Sequence, residues 1–81
     1  MTEEKRKELK EAVTAVLFAM GKPVERQKLS YALEISEDET AELLQEMMDE
    51  QDAAESGLRI IRLEDAYQLC TREKYYDTLT K

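Results

Sequence analysis

The side chains that most often carry out catalysis or bind metals are nearly absent from this sequence. It contains no histidine, the commonest general base and metal ligand, and one cysteine, Cys70. A cysteine nucleophile needs a base to form its thiolate, and the residues beside Cys70 supply none. A single cysteine also forms no internal disulfide, which fits a reducing, cytoplasmic environment. The sequence therefore predicts a structural or interface role for Cys70 and no enzymatic activity.

Carboxylates are abundant, and ten of them lie between Glu34 and Gly57, where there is no lysine or arginine. Along a helix these groups lie in solvent rather than in a pocket that would raise a pKa, so acid–base catalysis is not expected. They lack the spacing and central glycine of a calcium loop, and the two isolated glycines form no phosphate-binding loop. The sequence predicts neither a metal nor a cofactor.

The charge balance also disfavours nucleic acid as a partner. The 81 residues include 19 acidic and 12 basic side chains, for a net charge of −7, which is the wrong sign for binding phosphates. Basic residues cluster near the start and around the predicted hairpin (Lys5, Arg6, Lys7 and Lys10; Arg59, Arg62, Arg72 and Lys74). We expect most of these to be ordinary solvated charges and predict no direct, specific binding to DNA. The apolar runs are too short to span a membrane.

Residues 3–20 have the spacing of a helix that ends before Gly21 and Pro23. Its core stripe is predicted to be Leu9, Ala12, Val13, Val16, Leu17 and Met20. Ala15, Phe18 and Ala19 lie beyond the stripe and make the second half apolar nearly all round. Such a helix is either central in the core or packs on the core with one side and on a second copy with the other.

Two further helices follow. Residues 25–33 predict a short helix that buries Leu29, Ala32 and Leu33. A capping box over residues 36–39, formed by Ser36 and Glu39, predicts a third helix over residues 37–51. This helix is expected to bury Thr40, Leu43, Leu44 and Met47, with Met48 beside them. Two helices joined by a short turn are a helix-turn-helix.

Residues 58–63 and 66–71 predict a β-hairpin that turns at Glu64 and Asp65. Its alternation places Leu58, Ile60 and Leu69 opposite Ile61, Leu63 and Cys70, so both faces are apolar. Either the hairpin has a partner on its second face, or a short helix predicted over residues 72–81 covers it. The predicted fold is α+β and mostly helical: one winged helix-turn-helix domain over residues 1–81, with three helices, a hairpin wing and a short C-terminal helix. Surplus apolar surface predicts a dimer or partner interface at Ala15, Phe18, Ala19, Ile61, Leu63 and Cys70.

Four segments, in their order along the chain, resemble the start of the bacterial segregation and condensation protein B family. They are residues 17–24 (LFAMGKPV), 29–36 (LSYALEIS), 57–61 (GLRII) and 67–72 (YQLCTR). The resemblance runs from about Leu9 to the end. It implies two tandem winged helices, of which this chain holds the first as an N-terminal fragment. It also implies a homodimer that scaffolds the condensin-like Smc complex by binding its kleisin, segregation and condensation protein A, in chromosome condensation and segregation. The alternative is a winged-helix transcriptional regulator that binds DNA.

Overall fold

The computed structural model describes residues 2–71, which form three α-helices and three antiparallel β-strands. In chain order the elements are α1 (Glu3–Met20), β1 (Val24–Glu25), α2 (Arg26–Leu33), α3 (Glu37–Ala53), β2 (Leu58–Leu63) and β3 (Ala66–Thr71). The strands lie in the order β1-β3-β2. The three helices and the hairpin are therefore confirmed, and β1 is an additional strand. The helix predicted over residues 72–81 lies outside the described residues.

Helix α1 begins and ends as its sequence predicts. The Thr2 hydroxyl accepts a hydrogen bond from the Lys5 amide at 3.1 Å, and Gly21 ends the helix with a left-handed φ of 63°. The helix buries Leu9, Val13 and Leu17, which lie four residues apart. The prediction that Met20 joins this stripe is wrong, since its side chain is 44% exposed. Its angular position fits, but it is the last residue of α1, beyond the last buried turn.

Helix α2 starts one residue later than predicted because Glu25 pairs with β3 and serves as the N-cap. It buries Leu29, Ser30 and Leu33, whereas the prediction that Ala32 faces the core is wrong. At about 100° per residue, the buried arc runs from Leu29 through Leu33 to Ser30, and Ala32 lies well outside it. The Ser30 hydroxyl donates to the Gln27 carbonyl at 2.8 Å, which satisfies this buried polar group.

The predicted capping box at the start of α3 is confirmed. The Ser36 hydroxyl accepts from the Glu39 amide at 3.0 Å, and the Glu39 carboxylate accepts from the Ser36 amide at 3.3 Å. The helix extends to Ala53, two residues past its predicted end, and buries the four residues expected of it, Thr40, Leu43, Leu44 and Met47. Met48 is half-buried. The Thr40 hydroxyl donates to the Ser36 carbonyl at 2.9 Å, so the threonine is buried with its polar group satisfied.

The hairpin has the predicted register, with Leu63 opposite Ala66 and a turn at Glu64 and Asp65. Ile60 pairs with Leu69, and Tyr67 lies on the same face, because cross-strand partners point to the same side of a sheet. Ile60 and Tyr67 are buried, so this is the face that packs on the helices. It completes the core with Leu9, Val13, Leu17, Val24, Leu29, Leu33, Leu43, Leu44 and Met47. The domain is a winged helix: three helices are followed by a hairpin, and the hairpin pairs with β1, the short strand after α1.

Candidate functional site

Helix α1 carries apolar side chains that no described part of the chain covers. Phe18 is 76% exposed, and Ala15 and Ala19 are exposed as well. These three residues, the α1 patch, lie on the side of α1 away from the buried stripe. One side of the apolar second half of α1 therefore packs on the core, and residues 2–71 leave the other side uncovered.

A groove of about 470 Å³ runs beside this patch, between α1 and the hairpin. It is lined by Lys10, Glu11, Thr14, Ala15, Phe18, Leu58 and Leu69. Leu58 is 44% exposed although it lies on the core-facing side of the sheet. It stands at the first position of β2, opposite Thr71, and so at the open end of the hairpin. The groove is apolar, with the charged groups of Lys10 and Glu11 as its polar components.

The outer face of the hairpin is a second surface. Ile61, Leu63 and Cys70 lie on the face opposite Ile60, as the alternation of the strands predicts. Leu63 is 45% exposed, and Ile61 and Cys70 are half-buried. We refer to these three residues as the wing patch.

The six residues predicted as an interface therefore form two surfaces on opposite sides of the sheet. The structure brings Ala15 and Phe18 together with Leu58 and Leu69, and it places the wing patch elsewhere. The sequence does not indicate Leu58 as an interface residue, because alternation along the strands leaves open which hairpin face packs on the core. Sequence reasoning also missed Tyr31 on α2, which is 87% exposed. A helical wheel of α2 could have indicated Tyr31, since the residue lies outside the buried arc.

Ion pairs connect the start of α1 to α3. Arg6 contacts the Glu46 carboxylate at 2.6 Å, and the Lys10 ammonium contacts Glu46 at 3.0 Å and Glu50 at 2.8 Å. Hydrogen bonds from Arg6 and then Lys10 lower the pKa of Glu46 below its usual range. The hydrogen bond to Glu50, with that to Glu46, raises the pKa of Lys10. Two of the basic residues near the start thus neutralise acidic residues of the same molecule.

Helix α3 also presents many carboxylates to solvent. Its exposed acidic residues are Glu37, Asp38, Glu39, Glu42, Asp49, Glu50 and Asp52. In a helix-turn-helix, this second helix of the pair is the one that enters the major groove of DNA. A surface of this charge would repel the phosphates on both sides of that groove.

Residues 2–71 offer neither a metal site nor a membrane span. Within them, no group of three or more histidine, cysteine or acidic side chains is arranged to hold a metal ion. No helix in this part of the chain has the length and apolar character needed to cross a membrane.

The fold is that of a winged-helix domain, and apolar surfaces of this domain are exposed. Sequence comparison places the domain in a particular family. The family model described as segregation and condensation complex subunit ScpB matches residues 11–81, so the chain belongs to the ScpB family. It is 40% identical over 73 residues to segregation and condensation protein B of Alkaliphilus metalliredigens (strain QYMF), covering 90% of this chain and 38% of that protein. It is also 40% identical over 76 residues to the protein of the same name from Alkaliphilus oremlandii (strain OhILAs), covering 94% and 41%. The chain thus spans about two fifths of the length of these relatives.

Solved structures of ScpB proteins have the same fold. ScpB from Mycobacterium tuberculosis superposes with a TM-score of 0.86 at 27% identity, covering 93% of this chain and 47% of that one. A dimer of an ScpB N-terminal domain in complex with a ScpA peptide superposes with a TM-score of 0.83 at 27% identity. This second match covers 91% of this chain and 93% of that one.

Proposed function

We propose that this chain is a non-enzymatic, dimerising scaffold subunit of a Smc–kleisin complex that acts in chromosome condensation and segregation. The observation that carries the proposal is the structural match to a solved ScpB N-terminal domain, which spans nearly the whole of both chains. That solved domain is a dimer in complex with a ScpA peptide. The exposed α1 patch and wing patch support the proposal, since apolar side chains left in water favour association. The partners are a second copy and the kleisin ScpA, through which the domain associates with Smc and the nucleoid in the cytoplasm.

We further propose that residues 1–81 form one winged-helix domain equivalent to the N-terminal domain of its relatives. Partner contacts are assigned to Ala15, Phe18 and Ala19 on α1 and to Ile61, Leu63 and Cys70 on the wing. Their separation on two sides of the sheet suits a scaffold, because a scaffold holds more than one partner at a time.

The competing function is a transcriptional regulator that reads duplex DNA, which many winged helices do through the helix equivalent to α3. The charge of α3 favours the scaffold. Protein partners require apolar or complementary polar surface, whereas DNA requires basic residues along the inserted helix. This chain has none between Glu34 and Gly57.

Two titrations distinguish these functions. Fluorescently labelled chain is titrated with the ScpA-family protein from the same genome and, separately, with duplex DNAs of several defined sequences at low salt, where phosphate contacts are strongest. The scaffold predicts saturable binding of the kleisin and no binding of DNA below about 100 μM, weaker than typical non-specific affinities. Sequence-selective DNA binding at micromolar concentration, with no response to the kleisin, would show that the chain is a regulator.

A further inference from the structure

We propose that the groove between α1 and the hairpin receives Phe18 of a second copy of this chain, and that the contact is reciprocal. The inference rests on the dimer proposed above and specifies its seam. Each protomer would place its exposed phenyl ring against Leu58 and Leu69 of its partner. The wing patch takes no part in this contact.

A protruding aromatic ring and an apolar groove lie next to each other on one face of the domain. Phe18 projects with 76% of its surface exposed, and the neighbouring groove of about 470 Å³ has room for an aromatic side chain. A two-fold dimer uses the same patch on both subunits, so a residue that inserts and the site that receives it must both lie on that patch. A few residues buried in such pockets contribute most of the binding energy at an interface, and aromatic side chains are enriched in interfaces.

Charge disfavours a dimer seam on the other large face, which is formed by α3. The chain carries a net charge of −7, and seven exposed acidic residues lie on α3, of which Glu37 and Glu50 are paired with Arg26 and Lys10. Two copies that met through α3 would bring these carboxylates together, which costs free energy. On the groove face, the Lys10 charge is already paired with Glu46 and Glu50. Glu11 is exposed at the rim, where it keeps its contact with water.

This seam also leaves room for the second partner. The wing patch lies on the opposite face of the sheet from Leu58 and Leu69. A dimer formed through the groove therefore keeps Ile61 and Leu63 of both copies accessible. The domain can then dimerise and bind a kleisin segment simultaneously, without competition between the two.

Sedimentation equilibrium on five samples tests the seam: the wild type, Phe18→Glu, Leu58→Lys, the control Leu63→Glu, and an equal mixture of the first two variants. All three positions are at least 44% exposed, so the variants should remain folded, and circular dichroism melting checks this. Phe18→Glu and Leu58→Lys should each raise the dimer dissociation constant at least about 100-fold, because both symmetric contacts are lost. The control should dimerise like the wild type.

The mixture is the decisive sample. In a reciprocal seam, the new carboxylate of the Phe18→Glu chain meets the new ammonium of the Leu58→Lys chain, while the second contact remains phenylalanine on leucine. The mixture should therefore dimerise more tightly than either variant alone. The wild type could dimerise while folded Phe18→Glu also dimerises normally, or while Leu63→Glu dissociates. Either result would show that the seam is wrong but that the dimer exists. Loss of the dimer on addition of kleisin would assign the groove to the kleisin instead. A monomeric wild type would refute the proposed dimer itself.

Discussion

Replacing Ser36 with alanine should lower the free energy of unfolding by about 1 kcal/mol, the typical cost of losing an N-cap. The change removes the hydroxyl that accepts from the Glu39 amide at 3.0 Å. The reverse bond, from the Ser36 amide to the Glu39 carboxylate, uses the backbone and can persist, although at 3.3 Å it is the longer of the two. Both residues are exposed, so water replaces part of the lost hydrogen bond. The loss of stability should therefore not reach the upper end of the range measured for N-cap substitutions.

Thermal unfolding followed by circular dichroism measures this effect. For a domain of this size, about 1 kcal/mol corresponds to a fall in Tm of about 4–8 °C. Thr2→Ala is a matched control, since Thr2 caps α1 in the same way but without a reciprocal carboxylate, at the end of the described chain. We expect a smaller fall for Thr2→Ala, and no change in sedimentation for Ser36→Ala. An unchanged Tm for Ser36→Ala, or complete unfolding, would refute the role assigned to the capping box.

Three further predictions concern the wing, acid stability and DNA. The Gln51 side chain accepts a hydrogen bond from the part-buried Ile60 amide at 2.7 Å. Gln51→Ala should therefore lower the free energy of unfolding, measured with urea, by about 1–2 kcal/mol. The pKa of Glu46 is lowered in the folded state from its usual 4.5, so its contribution to stability is present above about pH 4.5 and is lost as the pH falls through the lowered value. Glu46→Gln should therefore reduce the fall in Tm between about pH 5 and pH 2. Gel-shift titration at low salt should show no sequence-specific complex with DNA.

The Gln51 and Glu46 predictions each have a matched control variant. Gln51→Glu retains an acceptor oxygen and should lose less stability than Gln51→Ala. Equal losses would mean that the hydrogen bond to Ile60 contributes little. Glu42→Gln removes an exposed carboxylate of the same helix and should leave the acid dependence of Tm nearly unchanged. If it acts like Glu46→Gln, net charge rather than the ion pairs to Arg6 and Lys10 controls acid stability. A sequence-specific shift that salt weakens would contradict the DNA prediction.

The features that the sequence predicts well are those determined by neighbours along the chain. The capping box at Ser36, the stop at Gly21 and the hairpin turn depend on residues within a few positions of one another. The alternation of the strands also separates the wing patch from Ile60 without knowledge of the fold. These local signals define the ends of all three helices and of the wing to within two residues.

The features that the sequence leaves open depend on contacts between distant elements. Strand β1 has two residues and exists because Val24 lies opposite Tyr67, more than forty positions away. The packing of α1 and α3 against the sheet decides which hairpin face is buried. The groove exists because Leu58 comes to lie beside Phe18, which periodicity within either element does not indicate. The division of the predicted interface into two patches has the same cause.

We propose that this domain dimerises and holds a kleisin while it does so. The most direct test is the mass of its complex with the ScpA-family protein of the same genome, measured by sedimentation equilibrium with the kleisin at saturation. We expect a complex that contains two copies of this chain, twice 9.4 kDa, together with bound kleisin. A chain that stays at 9.4 kDa at high concentration and does not co-sediment with the kleisin would contradict it.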